Sequence, residues 1–272
     1  MSIDRRKFLK IAGITSAGAA AGLPGKILAE EVCPDSVGDV EYEQFPRAEH
    51  PPGNVTRWAM VIDLSVCREY PGCNECITAC HVTHNVPQYE ERDEEIKWIW
   101  KENFDHAFPE AEHKYMTKEI HHCNTLLLCN HCDNPPCTRV CPTRATWKRE
   151  KDGIVMMDWH RCIGCRYCVA ACPYGSRSFN YREPREYFEE RDIQPQADFP
   201  TRTRGVVEKC TFCEARLARG EWPACVLACP HDAMVFGDLD NPEDPVRKVL
   251  ETKFTIRRKP GLGTQPEIYY IV

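Results

Sequence analysis

Sixteen of the chain's 18 cysteines fall into four runs whose spacing suits thiolates gathered around metal. The plainest run is Cys162, Cys165, Cys168, Cys172, Pro173; it reads C-x2-C-x2-C-x3-C-P, the spacing by which thiolates hold iron-sulfur clusters. Cys129, Cys132, Cys137, Cys141, Pro142 and Cys210, Cys213, Cys225, Cys229, Pro230 repeat that order with a wider middle gap. Cys67, Cys73, Cys76 and Cys80 keep the C-x2-C-x3-C end, but Arg68 to Gly72 put five residues where the plainest run has two. A cubane needs four thiolates at its corners. A short loop wraps three of them round one cluster, and the fourth, just before the proline, points to a neighbouring cluster. The chemistry of such groups is one-electron transfer, and four runs call for four [4Fe-4S] clusters.

Other readings compete. Disulfides suit an exported chain, but a disulfide framework has no reason to repeat C-x2-C with C-x3-C-P, and 272 residues can build a core without staples. The fourth run alone would serve as a structural zinc site, whereas four-ligand runs with a trailing proline favour clusters. Covalent haem requires C-x-x-C-H, and no run has His directly after its C-x-x-C. The sequence holds no G-x-G-x-x-G, P-loop or nucleophile-base motif, so it offers no nucleotide, nicotinamide or flavin site and no catalytic residues of its own. A rival of another class is an enzyme subunit whose cluster at the widened first run is distorted and acts on substrate; a zinc-bound scaffold is the third reading.

Residues 1–29 carry Asp4-Arg5-Arg6-Lys7-Phe8-Leu9-Lys10, an apolar stretch from Ile11 to Leu23, and Ile27-Leu28-Ala29, the pattern of a twin-arginine export signal. Ile27 stands where a small residue is preferred, which leaves cleavage at Ala29 and retention as an anchor both open. That route carries proteins already folded around their cofactors, so a periplasmic location and preassembled clusters are expected together. The whole chain has a formal charge of -6; without residues 1–29, which hold five bases and one acid, it carries about -10 and is a poor partner for nucleic acid. Arg139, Arg144, Arg161, Arg166 and Arg177 stand near the runs, either to offset cluster charge or as plain surface arginines.

The elements that must position the cysteines are short. Trp58 to Ile62 and Thr125 to Leu128 read as strands feeding the first and second runs. Glu75 to His84, Pro136 to Thr143, Arg166 to Ala171 and Ala224 to Ala228 read as helices carrying the last cysteines, stopped after Cys141, Cys172 and Cys229 by proline. A hairpin is expected from Thr146 to Met157 around Lys151-Asp152-Gly153, and a strand from Ala233 to Phe236. A helix starts near Asn241-Pro242-Glu243-Asp244 and runs to about Glu251, and Pro266 to Ile271 returns as a strand. Two insertions interrupt this order: 86–122, whose Trp98, Trp100, Phe104 and Phe108 argue for an ordered flap, and 183–204, read as a surface loop.

Cys129-Asn-His-Cys-Asp-Asn-Pro-Pro-Cys137, Arg161-Cys-Ile-Gly-Cys-Arg-Tyr-Cys-Val-Ala-Ala-Cys-Pro-Tyr-Gly175, Val207-Glu-Lys-Cys-Thr-Phe-Cys213 and Ala224-Cys-Val-Leu-Ala-Cys-Pro230 resemble the four-cluster electron-transfer subunits of dimethyl sulfoxide reductase, polysulfide reductase and NrfC-type nitrite systems. The resemblance spans nearly the whole chain after residue 30. It implies an α+β fold of two interlocked bacterial-ferredoxin-like modules, one nested in the other: an outer one from runs 67–80 and 210–229, an inner one from 129–172, within a domain of 57–272 after an extension of 30–56. It also implies the ligand sets: Cys67, Cys73, Cys76 with Cys229; Cys210, Cys213, Cys225 with Cys80; Cys129, Cys132, Cys137 with Cys172; and Cys162, Cys165, Cys168 with Cys141. The widened first run and Glu95-Ile-Lys-Trp-Ile-Trp100 look most like the periplasmic ferredoxins of Dsr membrane complexes in dissimilatory sulfur metabolism. The implied partners are an NrfD-like quinone-interacting membrane subunit, a periplasmic multihaem cytochrome c and the other subunits of such a complex. The alternative is the iron-sulfur subunit of a molybdopterin-type oxidoreductase.

Outside the runs, Cys33 reads as a mobile free thiol and Cys123 as a buried one, with His121-His122-Cys123 a weaker metal trio. His131, between Cys129 and Cys132, reads as a hydrogen-bond donor beside a cluster, and His81 and His84 as helix-surface residues.

Overall fold

Trp58–Asp63 (β1) is an inner strand of the main sheet and is buried along its whole length. The chain is seen in a computed structural model that describes residues 49–272; the expected export signal, Cys33 and the first part of the 30–56 extension lie outside the described residues. After β1 come Ile99–Asn103 (β2), Asn124–Leu128 (β3), the short hairpin Thr146–Lys148 (β4) with Val155–Met157 (β5), and Ser178–Phe179 (β6) with Val207–Glu208 (β7). Met234–Asp238 (β8), Thr255–Ile256 (β9) and Ile268–Ile271 (β10) complete the strands. The main sheet runs β8-β1-β10-β9, with β1 antiparallel to β8 and parallel to β10. Met60 pairs with Phe236 on one side and Ile268 on the other.

The two faces of β1 explain its burial. Trp58, Met60 and Ile62 enter the main apolar core, while Ala59 packs with Leu239 and Val246 under the helix Pro245–Thr252. Asp244 caps that helix by accepting the Val246 N–H at 2.9 Å, and its other carboxylate oxygen accepts the Asp238 N–H at 3.0 Å. A Cβ on Gly237 would stand 2.0 Å from that carboxylate, so glycine is required where the strand passes the cap. At the other end of β1, Asp63 caps Leu64–Glu69 through the Ser65 and Val66 N–H groups.

The helices that carry the last cysteines pack in pairs. Glu75–Thr83 lies against Ala224–Ala228, and Pro136–Arg139 against Tyr167–Ala171. Cys229 and Cys172 terminate their helices in extended backbone, as the following prolines demand. The second helix is one turn, ending at Arg139 rather than Thr143.

The insertions are part of the body. Ile96, Trp98, Ile99, Trp100, Phe104 and Phe108 all belong to the main core, and β2 pairs antiparallel with β3. The 183–204 insertion departs from the expected surface loop: it contains the helix Pro184–Glu190 and a fully buried Arg202. No helix among the described residues is long and apolar enough to cross a membrane.

Candidate iron-sulfur cluster sites

Three of the C-x-x-C loops share one backbone device. The residue just before the second cysteine is left-handed in each: His131 (φ 41°), Gly164 (φ 69°) and Phe212 (φ 55°). That turn folds the two cysteines back toward a common point, and only one of the three positions uses glycine. Gly164 has a further reason, since a Cβ there would meet the Gly205 carbonyl at 2.2 Å. The widened first run lacks the device, and Asn74 begins the helix Glu75–Thr83 instead.

The cysteines group across runs. Cys67, Cys73, Cys76 and Cys229 line one cavity, and Cys129, Cys132, Cys137 and Cys172 line another. The Cys80 thiol faces Cys213, Cys210 and Cys225. Cys141 and Cys162 pack with Cys168 at a second apolar cluster, while Cys165 of the same run is exposed. Neighbouring groups also meet: Cys76 faces Cys80 and Cys225, Cys129 faces Cys210, and Cys137 faces Cys168. The groups therefore follow one another in the order first, fourth, second and third run.

The donor chemistry fits an iron cluster. Burial, then the charge of facing thiols, pushes Cys67 and Cys76 up to about 12, and burial with Cys129 and Cys213 does the same to Cys210. Thiols that resist becoming thiolates on their own suit a cationic core that compensates them. Cys141 moves in the opposite direction to these: its partial burial is outweighed by the N–H groups of Thr146, Ala145 and Thr143 and the Thr143 hydroxyl, which lower its pKa. Among the described residues no three His, Cys, Asp or Glu side chains close on one point as ligands of a single ion do. The thiols instead stand around a volume, as a cubane requires.

Buried polar groups brace these sites. His131 is fully buried and stacks on Phe212 with ring centroids 3.7 Å apart. Its Nδ1 accepts the Val155 N–H at 3.1 Å, so Nε2–H donates to the Cys210 carbonyl at 3.1 Å, joining the second and fourth runs. Burial drives its pKa well below the usual value, which keeps the ring neutral. Arg177 is the one arginine of the five that is buried, and its Nη2 donates to Cys137 Sγ at 3.0 Å and Thr146 Oγ1 at 2.8 Å. Arg139, Arg144, Arg161 and Arg166 are exposed, Arg161 beside Asp158 and Arg166 over the rings of Phe179 and Tyr181.

Two expectations change, and one feature was not foreseen. His84 is buried rather than on the helix surface; Nδ1–H donates to the Cys80 carbonyl at 2.8 Å, the ring stacks on Trp98, and burial pushes its pKa down to about 4. Cys123 is buried as expected but is disulfide-bonded rather than free. Arg202 and Glu208 form a wholly buried ion pair at 2.6 Å, which no periodicity or motif announces. Glu208 also accepts from Trp98 Nε1 at 2.9 Å and Asn180 Nδ2 at 2.6 Å, while Arg202 Nη2 donates to the Asn85 carbonyl at 2.8 Å. The pair thereby ties both insertions to the end of the helix that carries Cys80.

The family described as the 4Fe-4S dicluster domain matches residues 114–185, and a second family of the same description matches 161–233. The chain is 37% identical to the Hdr-like menaquinol oxidoreductase iron-sulfur subunit 1 of Archaeoglobus fulgidus, over 98% of this chain and 97% of that one. It is 35% identical to a subunit of tetrathionate reductase from Salmonella typhimurium, over 100% of this chain and 89% of the relative. Protein NrfC of Escherichia coli K12 is 32% identical over 100% of this chain and 96% of its own length.

Proposed function

Because the chain belongs to the family of iron-sulfur subunits built on 4Fe-4S dicluster domains, we propose that it relays single electrons through four [4Fe-4S] clusters within a membrane-associated oxidoreductase. The observation that carries this reading is that two cavities are each lined by three cysteines of one run and the last cysteine of another, with the remaining thiols within electrostatic reach of them. Bound clusters would supply one-electron oxidation and reduction and nothing else. Cys67, Cys73, Cys76 and Cys229 would hold one cluster, Cys210, Cys213, Cys225 and Cys80 the next, Cys129, Cys132, Cys137 and Cys172 the third in line, and Cys162, Cys165, Cys168 and Cys141 the last. This is the ligation of two interlocked ferredoxin-like modules, the inner nested in the outer, and the pairwise packing of the cysteine-bearing helices supports it. The protein's own work is to fix the spacing, to keep water from the thiols and to place charge around them.

The chain is exported to the periplasm by its twin-arginine signal. There it passes electrons between an NrfD-like quinone-interacting membrane subunit and a redox partner such as a multihaem cytochrome c, in dissimilatory sulfur metabolism as a DsrO-type subunit. The menaquinol oxidoreductase relative supports the quinone side, and the widened first run supports the Dsr-type assignment. The tetrathionate reductase relative favours a second reading, in which the chain serves a terminal reductase. Anaerobic membranes holding the complex separate these readings. If a menaquinol analogue develops cluster paramagnetic resonance signals that added cytochrome c partner then discharges, the relay stands as proposed. If only a sulfur oxyanion such as tetrathionate discharges them, the second reading replaces it; clusters that dithionite reduces and menaquinol does not would refute the quinone link.

A further inference from the structure

Two buried cations stand beside the group formed by Cys129, Cys132, Cys137 and Cys172. Arg177 lines its cavity and donates to Cys137 Sγ at 3.0 Å, and it faces Cys168 of the third run as well. Lys209 is fully buried; its ammonium donates to the carbonyls of Cys210, at 2.7 Å, and of Val155, which lines the same cavity, and it lies within electrostatic reach of Cys129, Cys137 and Cys210. Among the described residues, every hydrogen bond these two side chains donate goes to sulfur, a hydroxyl or a carbonyl, so no carboxylate cancels their charge. Arg177 is shared with the third-run group and Lys209 with the fourth-run group, whereas Cys129 and Cys137 face both.

We propose that Arg177 and Lys209 make the Cys129/Cys132/Cys137/Cys172 site the most easily reduced of the four, a resting place for the electron in the middle of the relay. Reduction adds one negative charge to a cluster, and a cation held in a low-dielectric interior favours the charged product, so the midpoint rises with each cation nearby. The groups at Cys162/Cys165/Cys168/Cys141 and Cys210/Cys213/Cys225/Cys80 each feel one of the two; the latter also feels Arg216, whose charge Glu221 offsets at 3.2 Å, and the Cys67/Cys73/Cys76/Cys229 group feels Lys101 with Asp63 opposing it. The proposal rests on the four-cluster reading above.

The test is a potentiometric paramagnetic resonance titration of the anaerobically purified full-length holoprotein, with iron and sulfide measured for every variant. Arg177→Gln keeps hydrogen-bond donors and drops the charge, and should move two midpoints to more negative potential; Arg177→Lys keeps the charge and should leave them near wild type. Lys209→Gln should move two midpoints, one of them shared with the Arg177→Gln pair, and that shared signal should be the highest in the wild type. Fully loaded variants with unchanged midpoints, or a shared signal that is not the highest, would overturn the proposal. If Arg177→Gln loses iron, the Lys209→Gln titration decides: a negative shift of the highest signal supports the assignment and its absence overturns it. A wild-type protein without four cluster signals would instead refute the relay on which the proposal stands.

Discussion

Cys80 lies within electrostatic reach of Cys213, although Cys80 belongs to the first cysteine run and Cys213 to the fourth. The helix Glu75–Thr83 brings this about by packing against Ala224–Ala228, so the last thiol of each run lies with the other run's first three. The crossed ligation proposed above has a sharp consequence for single substitutions. Cys80→Ala should damage the cluster of the fourth run and Cys141→Ala that of the third, while the clusters of the first and second runs persist. Iron analysis and paramagnetic resonance of each variant check this; loss of the second run's cluster in Cys141→Ala would show that the ligands do not cross.

The Arg202–Glu208 pair sits where no water reaches it, at 2.6 Å, with Trp98 and Asn180 also bound to the carboxylate. Removing one partner strands the other charge, and breaking such pairs costs about 3–5 kcal/mol. Arg202→Met should lower the unfolding free energy of the holoprotein by that order, read from denaturant titration of the cluster absorbance. A change no larger than that of an exposed control such as Arg185→Met would show that the pair is not a brace.

Gly164 combines a left-handed backbone with a 2.2 Å approach of the Gly205 carbonyl to its absent Cβ. The left-handed conformation alone costs an alanine about 1–2 kcal/mol, before the overlap is relieved. Gly164→Ala should therefore weaken iron retention in the third run selectively, seen as faster loss of one signal to an iron chelator. Gly72, whose Cβ would meet nothing within 4 Å, is the matched control.

His131 fills two buried hydrogen bonds at once, to the Val155 N–H and the Cys210 carbonyl. His131→Leu preserves bulk and leaves both groups unpaired, at about 1–3 kcal/mol each. Reduced stability with all clusters present is the expected outcome, whereas loss of the second run's cluster would mark His131 as a ligand.

Legibility in the sequence followed the range of the forces involved. Spacing within a run is local, so the C-x-x-C loops, the helix Ala224–Ala228, the hairpin around Gly153 and the strand beginning at Trp58 were all readable from the residues. Aromatic density also marked 86–122 as packed, and Trp98 is wholly buried. What escaped depends on contacts between distant segments. His84 follows a cysteine-bearing helix and reads as surface until Phe199 and Trp98 close over it. Arg202 lies in a polar, proline-rich stretch whose composition hides a partner on β7, and the parallel pairing of β1 with β10 joins residues from opposite ends of the described chain. Lys209 stood beside Cys210 in plain view, yet a lysine next to a run carries no mark of its burial.

The relay stands on four clusters in one chain. The direct measurement is iron and acid-labile sulfide on the full-length protein purified without oxygen, with its paramagnetic resonance followed as the potential is stepped. Four irons and four sulfides for each of the four cysteine groups, no zinc, and four separable signals are expected. Zinc in place of iron would contradict it outright, and a protein short by one cluster would show that the widened run of Cys67, Cys73, Cys76 and Cys80 does not complete the relay.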